Sequence, residues 1–142
     1  MDSMSNRAIQ ESLSWFTSAR LNMNGKNYSK CIYDLQMALE IAVKGVLLSV
    51  GVDSPKKHNV GDIIENVVAE RKELFSERFR TALPEIVKSL RRLLYLRSAS
   101  AYGFVKFIKP ADFESIAKEM FQPTSDYISI CSEEVDRINA KR

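Results

Sequence analysis

Apolar residues recur along the chain three and four positions apart, and the strict alternation of a half-buried strand is nowhere sustained. That pattern predicts helices throughout. A first helix over about 5–24 carries Ile9, Leu13, Phe16, Arg20 and Met23 along one side, and Gly25 is expected to supply the left-handed residue that ends it. The second, about 27–50, is apolar nearly all round: Ile32, Leu35, Leu39, Ile41, Val43, Val46, Leu47 and Leu48 leave only a narrow polar strip. Such a helix belongs in the middle of a bundle or between two chains.

After the turn GVDSPKK, Asn59 and Asp62 have the spacing of a capping box and open a short helix over about 59–70, with Val60, Ile63, Ile64, Val67 and Val68 as its apolar residues. Phe75, Phe79 and Leu83 repeat every four residues, which predicts a helical linker over 73–83. Pro84 is placed in the first turn of a helix over 84–102, and Pro110 likewise opens one over 110–122. Pro123 is expected to kink or break that segment before a last helix over 124–140. The expectation is a single all-α domain over 1–142, an up-and-down bundle of four to five helices with one short helix after the second long one and no sheet.

Composition adds mainly exclusions. With 45% hydrophobic and 27% charged residues the chain is an ordinary globular one rather than a disordered one. No apolar run approaches the roughly 18 residues of a membrane span. The opening MDSMSNRAIQES lacks the apolar core of a secretory signal, so a cytoplasmic protein without membrane contact is expected. Cys31 and Cys131 match no CxxC pattern and read as reduced, buried thiols; with His58 the only histidine, no zinc site of the usual kind is expected. Neither a GxxxxGK[ST] loop nor a GxGxxG turn is present, so no cofactor is expected, and any nucleotide site would be built from side chains borne on helices.

Charge is more informative where it is concentrated. The whole chain carries only +3, but over residues 84–109 Lys88, Arg91, Arg92, Arg97, Lys106 and Lys109 stand against Glu85 alone, giving +5. Such a strip, with Tyr95 and Tyr102 interleaved, can meet phosphates and offer rings to bases, or can be a solvated helix face. At 100° per residue, Arg97 falls in the same stripe as Ile86, Leu90, Leu93, Leu94 and Ala101, while Lys88, Arg92, Tyr95 and Tyr102 point to the opposite side. Arg97 therefore faces the core or a partner, where a guanidinium must be paired. Two readings stay open: a structural ion pair with a carboxylate such as Glu40, or a phosphate-binding arginine in a cleft between chains. Gln36, Glu40 and Lys44 form a polar row at intervals of four on the apolar second helix, in the favourable order for a helix ion pair. They read as supports that hold Arg97 or fix register, or as direct ligands. His58, beside Asn59, reads as a loop-to-helix anchor or as a base.

Taken in order, SWFTSARLNMNGKNYSKCIYDLQMALEIAVKGVLLSVG, with Ala19, Tyr28, Gln36, Ala38, Glu40 and Lys44, then KKHNVGDII with His58, and LRSASAYGF with Arg97 and Tyr102, resemble the HEPN superfamily, the small helical domains of higher eukaryotes and prokaryotes that bind nucleotides. The likeness is to the single-domain prokaryotic and archaeal branch and covers nearly the whole chain. It implies a bundle of four or five helices that forms a homodimer. Many members are metal-independent endoribonucleases whose R-x4-6-H arginine and histidine meet at the dimer cleft; others bind nucleotides or pair with a minimal nucleotidyltransferase as toxin and antitoxin. Here Arg97 fits the arginine, but residues 102–104 read YGF and Tyr102 stands in the histidine slot. A phenol ionises near pH 10 and makes a poor general base at neutral pH. The resemblance therefore implies a binding or accessory protein, with Arg97, Tyr102, Arg92 and Lys88 as phosphate-binding candidates; a ribonuclease using Arg97 and Tyr102, or a purely structural dimer or adaptor, are the alternatives.

Overall fold

The computed structural model describes residues 3–53, 59–101 and 109–141. Among them five α-helices and one 3₁₀ turn (Lys72–Leu74) form an all-α bundle without strands: α1 (Met4–Asn24), α2 (Tyr28–Ser49), α3 (Val60–Glu70), α4 (Glu77–Ala101) and α5 (Pro110–Ala140). The short helix follows the second long one, as the apolar pattern predicts.

Helix α2 is the axis of the bundle and packs against α1, α3, α4 and α5. Its all-round apolar sequence requires this: Ile32, Leu35, Leu39, Val43, Val46 and Leu47 are each sealed from solvent. α1 lies antiparallel on α2 at close range, and small residues permit the approach. A Cβ at Gly45 would stand 3.4 Å from the Ala8 Cβ and from the Ser5 carbonyl, while Ser12 Oγ donates to the Ala38 carbonyl at 2.6 Å. The buried stripe of α1 is consequently Ser5, Ile9, Ser12, Phe16 and Ala19. Leu13 and Arg20, expected on that side, are outside it: Leu13 is exposed, and Arg20 lays its guanidinium on the Phe16 ring. A count of apolar residues favoured the larger side chains, whereas the close helix contact selects the smaller ones.

Both interior prolines correct the sequence reading. The expected helices 73–83 and 84–102 are one helix, α4, preceded by the 3₁₀ turn, and 110–122 and 124–140 are likewise one, α5. In α4 the buried stripe Phe79, Leu83, Ile86, Leu90, Leu93 keeps its phase straight through Pro84; in α5 Phe113, Ala117, Met120, Thr124, Ile128, Cys131, Val135 does the same through Pro123. A proline inside a helix costs about 3 kcal/mol. Burying both halves on one continuous face outweighs that, because a large buried aliphatic or aromatic side chain contributes about 1.5–3 kcal/mol. Pro84 itself is exposed, where water can take the carbonyl it frees.

Two end signals also differ from expectation. Asn59 does precede α3, but no side-chain cap forms, and Asp62 is turned to Arg91 of α4 instead of back toward Asn59. At the end of α1 the left-handed residue is Lys26, at φ 61°, while Gly25 is right-handed at φ −83°. The Asn27 and Lys26 amides bond the Asn22 and Met23 carbonyls at 2.8 and 3.1 Å, the paired pattern of a Schellman end.

At the far end of the bundle Glu134 of α5 is buried and receives the Ser76 hydroxyl at 2.6 Å and the Ser76 amide at 2.9 Å, so it anchors the start of α4. Arg137 donates to the same carboxylate at 2.8 Å and to the Leu74 carbonyl at 2.6 Å. Burial pushes the Glu134 carboxyl up, but the bonds from Arg137 and Ser76 outweigh it and hold the group below the usual carboxylate range.

Replacing Lys26 with Gly relieves a left-handed side-chain conformation and is expected to raise unfolding stability by roughly 0.5–1 kcal/mol, read as a higher urea midpoint. Because the folded Glu134 carboxyl titrates below its unfolded value near 4.3, its contribution is full above that pH and is lost as pH falls through the folded value. Glu134→Gln should therefore lower stability at pH 7 by roughly 2 kcal/mol. It should also flatten the acid limb of the stability profile below pH 5, measured by denaturation across pH.

Candidate functional site

Arg97 occupies the next position of the α4 stripe after Phe79, Leu83, Ile86, Leu90 and Leu93, and that periodicity turns it inward at the end of the helix. It is half-buried. Its guanidinium carbon sits 4.7 Å from the centroid of the Tyr33 ring on α2, and Nη2 donates to the Tyr33 hydroxyl at 3.0 Å. Trp15 of α1 stands behind, its ring centroid 6.3 Å from that of Tyr33 at a 55° tilt. Three helices thus contribute one cation and two aromatic rings to a single junction. A guanidinium laid over a ring keeps its N–H donors pointing sideways in one plane, the arrangement that bidentate recognition of a phosphate or carboxylate uses.

The polar row of α2 continues along the bundle from Tyr33. Gln36 is sealed from solvent and gives its amide to Glu40 at 2.9 Å; Glu40, also buried, is bridged by Lys44 at 3.2 Å. The Gln36 carbonyl oxygen is buried without a hydrogen-bond partner. Leaving such a group unsatisfied costs about 1–3 kcal/mol, so the row is not a by-product of apolar packing.

Lys88 and Arg92 lie on the other side of α4, in a groove of about 210 Å³ against α5 that Glu85, Glu119 and Tyr127 also line. There Arg92 forks both nitrogens onto both Glu119 oxygens at 3.0 Å, and this holds the Glu119 carboxyl below the usual carboxylate range. Arg91 pairs with Asp62 and Glu65 of α3 at 2.6 and 2.5 Å. Of the phosphate-binding candidates, then, Arg97 stands apart from Lys88 and Arg92, as the angular reading requires. Tyr102 and His58 lie outside the described residues.

Sequence reasoning passed over Tyr33 and Trp15, although Trp15 is the chain's only tryptophan. It also did not pair Asp62, Glu65 and Glu119 with the arginines; these acids come from distant segments and bring the excess counted over residues 84–109 from +5 to +2. The two cysteines offer no competing chemistry: burial first, then the Asp34 and Glu134 carboxylates, push the Cys31 and Cys131 thiols up to about 12. Among the described residues no cluster of three metal-ligating side chains occurs, and no helix is long and apolar enough to cross a membrane.

A mostly antiparallel helical bundle with a cation–aromatic junction at one end of α4 defines a class of small all-α domain. Within that class the family model described as HEPN domain matches residues 5–132, nearly the whole chain, and the chain belongs to that family. No curated protein matches it.

The Arg97 junction separates into two contributions. Tyr33→Phe keeps the ring under the guanidinium and removes the hydroxyl bond, with an expected loss of about 1 kcal/mol in unfolding free energy. Tyr33→Leu removes the ring face as well and should lose a further 0.5–2 kcal/mol or so, measured by the same chemical denaturation.

Proposed function

We propose that this HEPN domain is a binding or accessory module that acts as a homodimer and takes a phosphate of a nucleotide or RNA on Arg97. The observation that carries this reading is the half-buried guanidinium laid over Tyr33 with Trp15 beside it. A single point charge in water selects little, but a planar cation fixed against a ring presents its donors in a set direction and loses less entropy on binding. The neighbouring aromatic surface suits a ligand that carries a base as well as a phosphate. A second copy placed over the end of α4 would wall the junction into a cleft. The family's habit of pairing with a minimal nucleotidyltransferase, as toxin and antitoxin, supplies the protein partner in this reading, and a cytoplasmic setting follows from it.

The ribonuclease alternative draws less support. It needs a group near the ribose 2′-hydroxyl that accepts a proton at neutral pH, and the slot holds Tyr102. The purely structural alternative assigns Arg97 to fastening α4 to α2 through Tyr33, at a desolvation cost that an aliphatic residue in the same stripe would not incur.

Trp15 is the built-in reporter, being the sole tryptophan and one ring away from the guanidinium. Titration with AMP, ATP and short single-stranded RNA at low salt is expected to change Trp15 emission for at least one of them. Arg97→Ala should weaken that binding tenfold or more, which corresponds to about 1.4 kcal/mol. No emission change and no heat of binding with any of the three would contradict the proposal.

A further inference from the structure

Arg91 and Arg92, both exposed on α4, are not solvated in isolation: each is held by carboxylates from a different helix. Arg91 is shared by Asp62 and Glu65 of α3, and Arg92 is gripped at both nitrogens by Glu119 of α5. A carboxylate on a guanidinium fork occupies the same in-plane donors that a phosphate would take. All five side chains are exposed, and exposed ion pairs contribute little to stability, so these pairs are poorly explained as fasteners of the bundle.

We infer that Asp62, Glu65 and Glu119 are specificity-determining residues: a carboxylate shield that denies Arg91 and Arg92 to the phosphates of a long nucleic acid. Ligand choice is thereby narrowed to a molecule presenting one or two phosphates at the Arg97 junction, a mononucleotide or an RNA end, rather than an extended backbone. The choice of Arg97 as the place of binding rests on the function proposed above; the shield itself does not. The physical basis is competition. A polyanion gains affinity by releasing counterions from each phosphate it hands to a cation, and an arginine already neutralised by a fixed carboxylate releases none. With the three carboxylates in place the strip offers an excess of +2 rather than +5.

The test is binding of a labelled single-stranded oligouridylate across a salt series. The Asp62→Asn, Glu65→Gln, Glu119→Gln triple variant is compared with a charge-matched control, Glu11→Gln, Glu70→Gln, Glu73→Gln, altered at exposed sites elsewhere. The shield variant is expected to bind at least tenfold tighter than the control. Its slope of log K against log salt should steepen by about 1.4, the value for two more phosphate contacts on a single strand. Adding Arg91→Ala and Arg92→Ala to the shield variant should abolish the gain. Equal affinity and slope in the shield variant and the control would overturn the inference, as would a gain that survives loss of the two arginines. Glu119→Gln alone, read against Glu119→Gln with Arg92→Ala, gives the same decision should the triple variant fold poorly. Trp15 emission with AMP on the same proteins reads the Arg97 site separately: a silent Trp15 with a full gain on oligouridylate rejects the junction and keeps the shield, and the reverse pattern rejects the shield and keeps the junction.

Discussion

The burial of α2 on nearly every side is the constraint from which the rest of the structure follows. A helix surrounded by α1, α3, α4 and α5 has little solvated face on which to place polar groups, so each one it carries must find a partner inside the bundle. Asp34 does so with Ser18 and Asn22 of α1, both at 2.7 Å; the Gln36 amide, Glu40 and Lys44 do so with one another, the Gln36 carbonyl oxygen being the exception; and Tyr33 does so with Arg97. The aromatic seat of the candidate phosphate-binding residue is thus part of the same packing arrangement that holds the domain together.

Much of the fold was legible in the sequence because hydrophobic phase is a robust signal. The failures came where a local rule was allowed to overrule that phase. Pro84 and Pro123 read locally as boundaries, yet the stripes of α4 and α5 run through them unchanged, and the steps of four and three from Phe79 through Leu83 and Ile86 to Leu90 join the two segments of α4. The α1 stripe failed for a different reason. Ser5, Ser12 and Ala19 are buried because Gly45 and Ala38 bring α2 unusually near, and such a contact belongs to a pair of helices rather than to either sequence window.

The candidate site was half legible. Arg97 was placed inward by its angle alone, and the structure seats it against another helix. Its ring partner could not be named, because which residue of α2 lies opposite residue 97 depends on the register between α2 and α4. The same limit hid the acids. A window over 84–109 sees six cations and one carboxylate, while Asp62, Glu65 and Glu119 arrive from about 30 residues away on either side. Charge counted along a sequence overestimates the field wherever neighbouring helices carry the opposite sign.

In the proposed function the inward guanidinium on Tyr33, and not the outward arginines, receives the ligand's phosphate. Nitrogen-15 NMR of the arginine side chains and the tryptophan indole during an AMP titration tests it most directly, since each arginine reports separately. Saturable shifts of the Arg97 Nε–H and the Trp15 indole N–H are expected, with the Arg91 and Arg92 signals nearly still. Shifts confined to Arg91 and Arg92, with Arg97 and Trp15 unmoved at saturation, would contradict the proposed function.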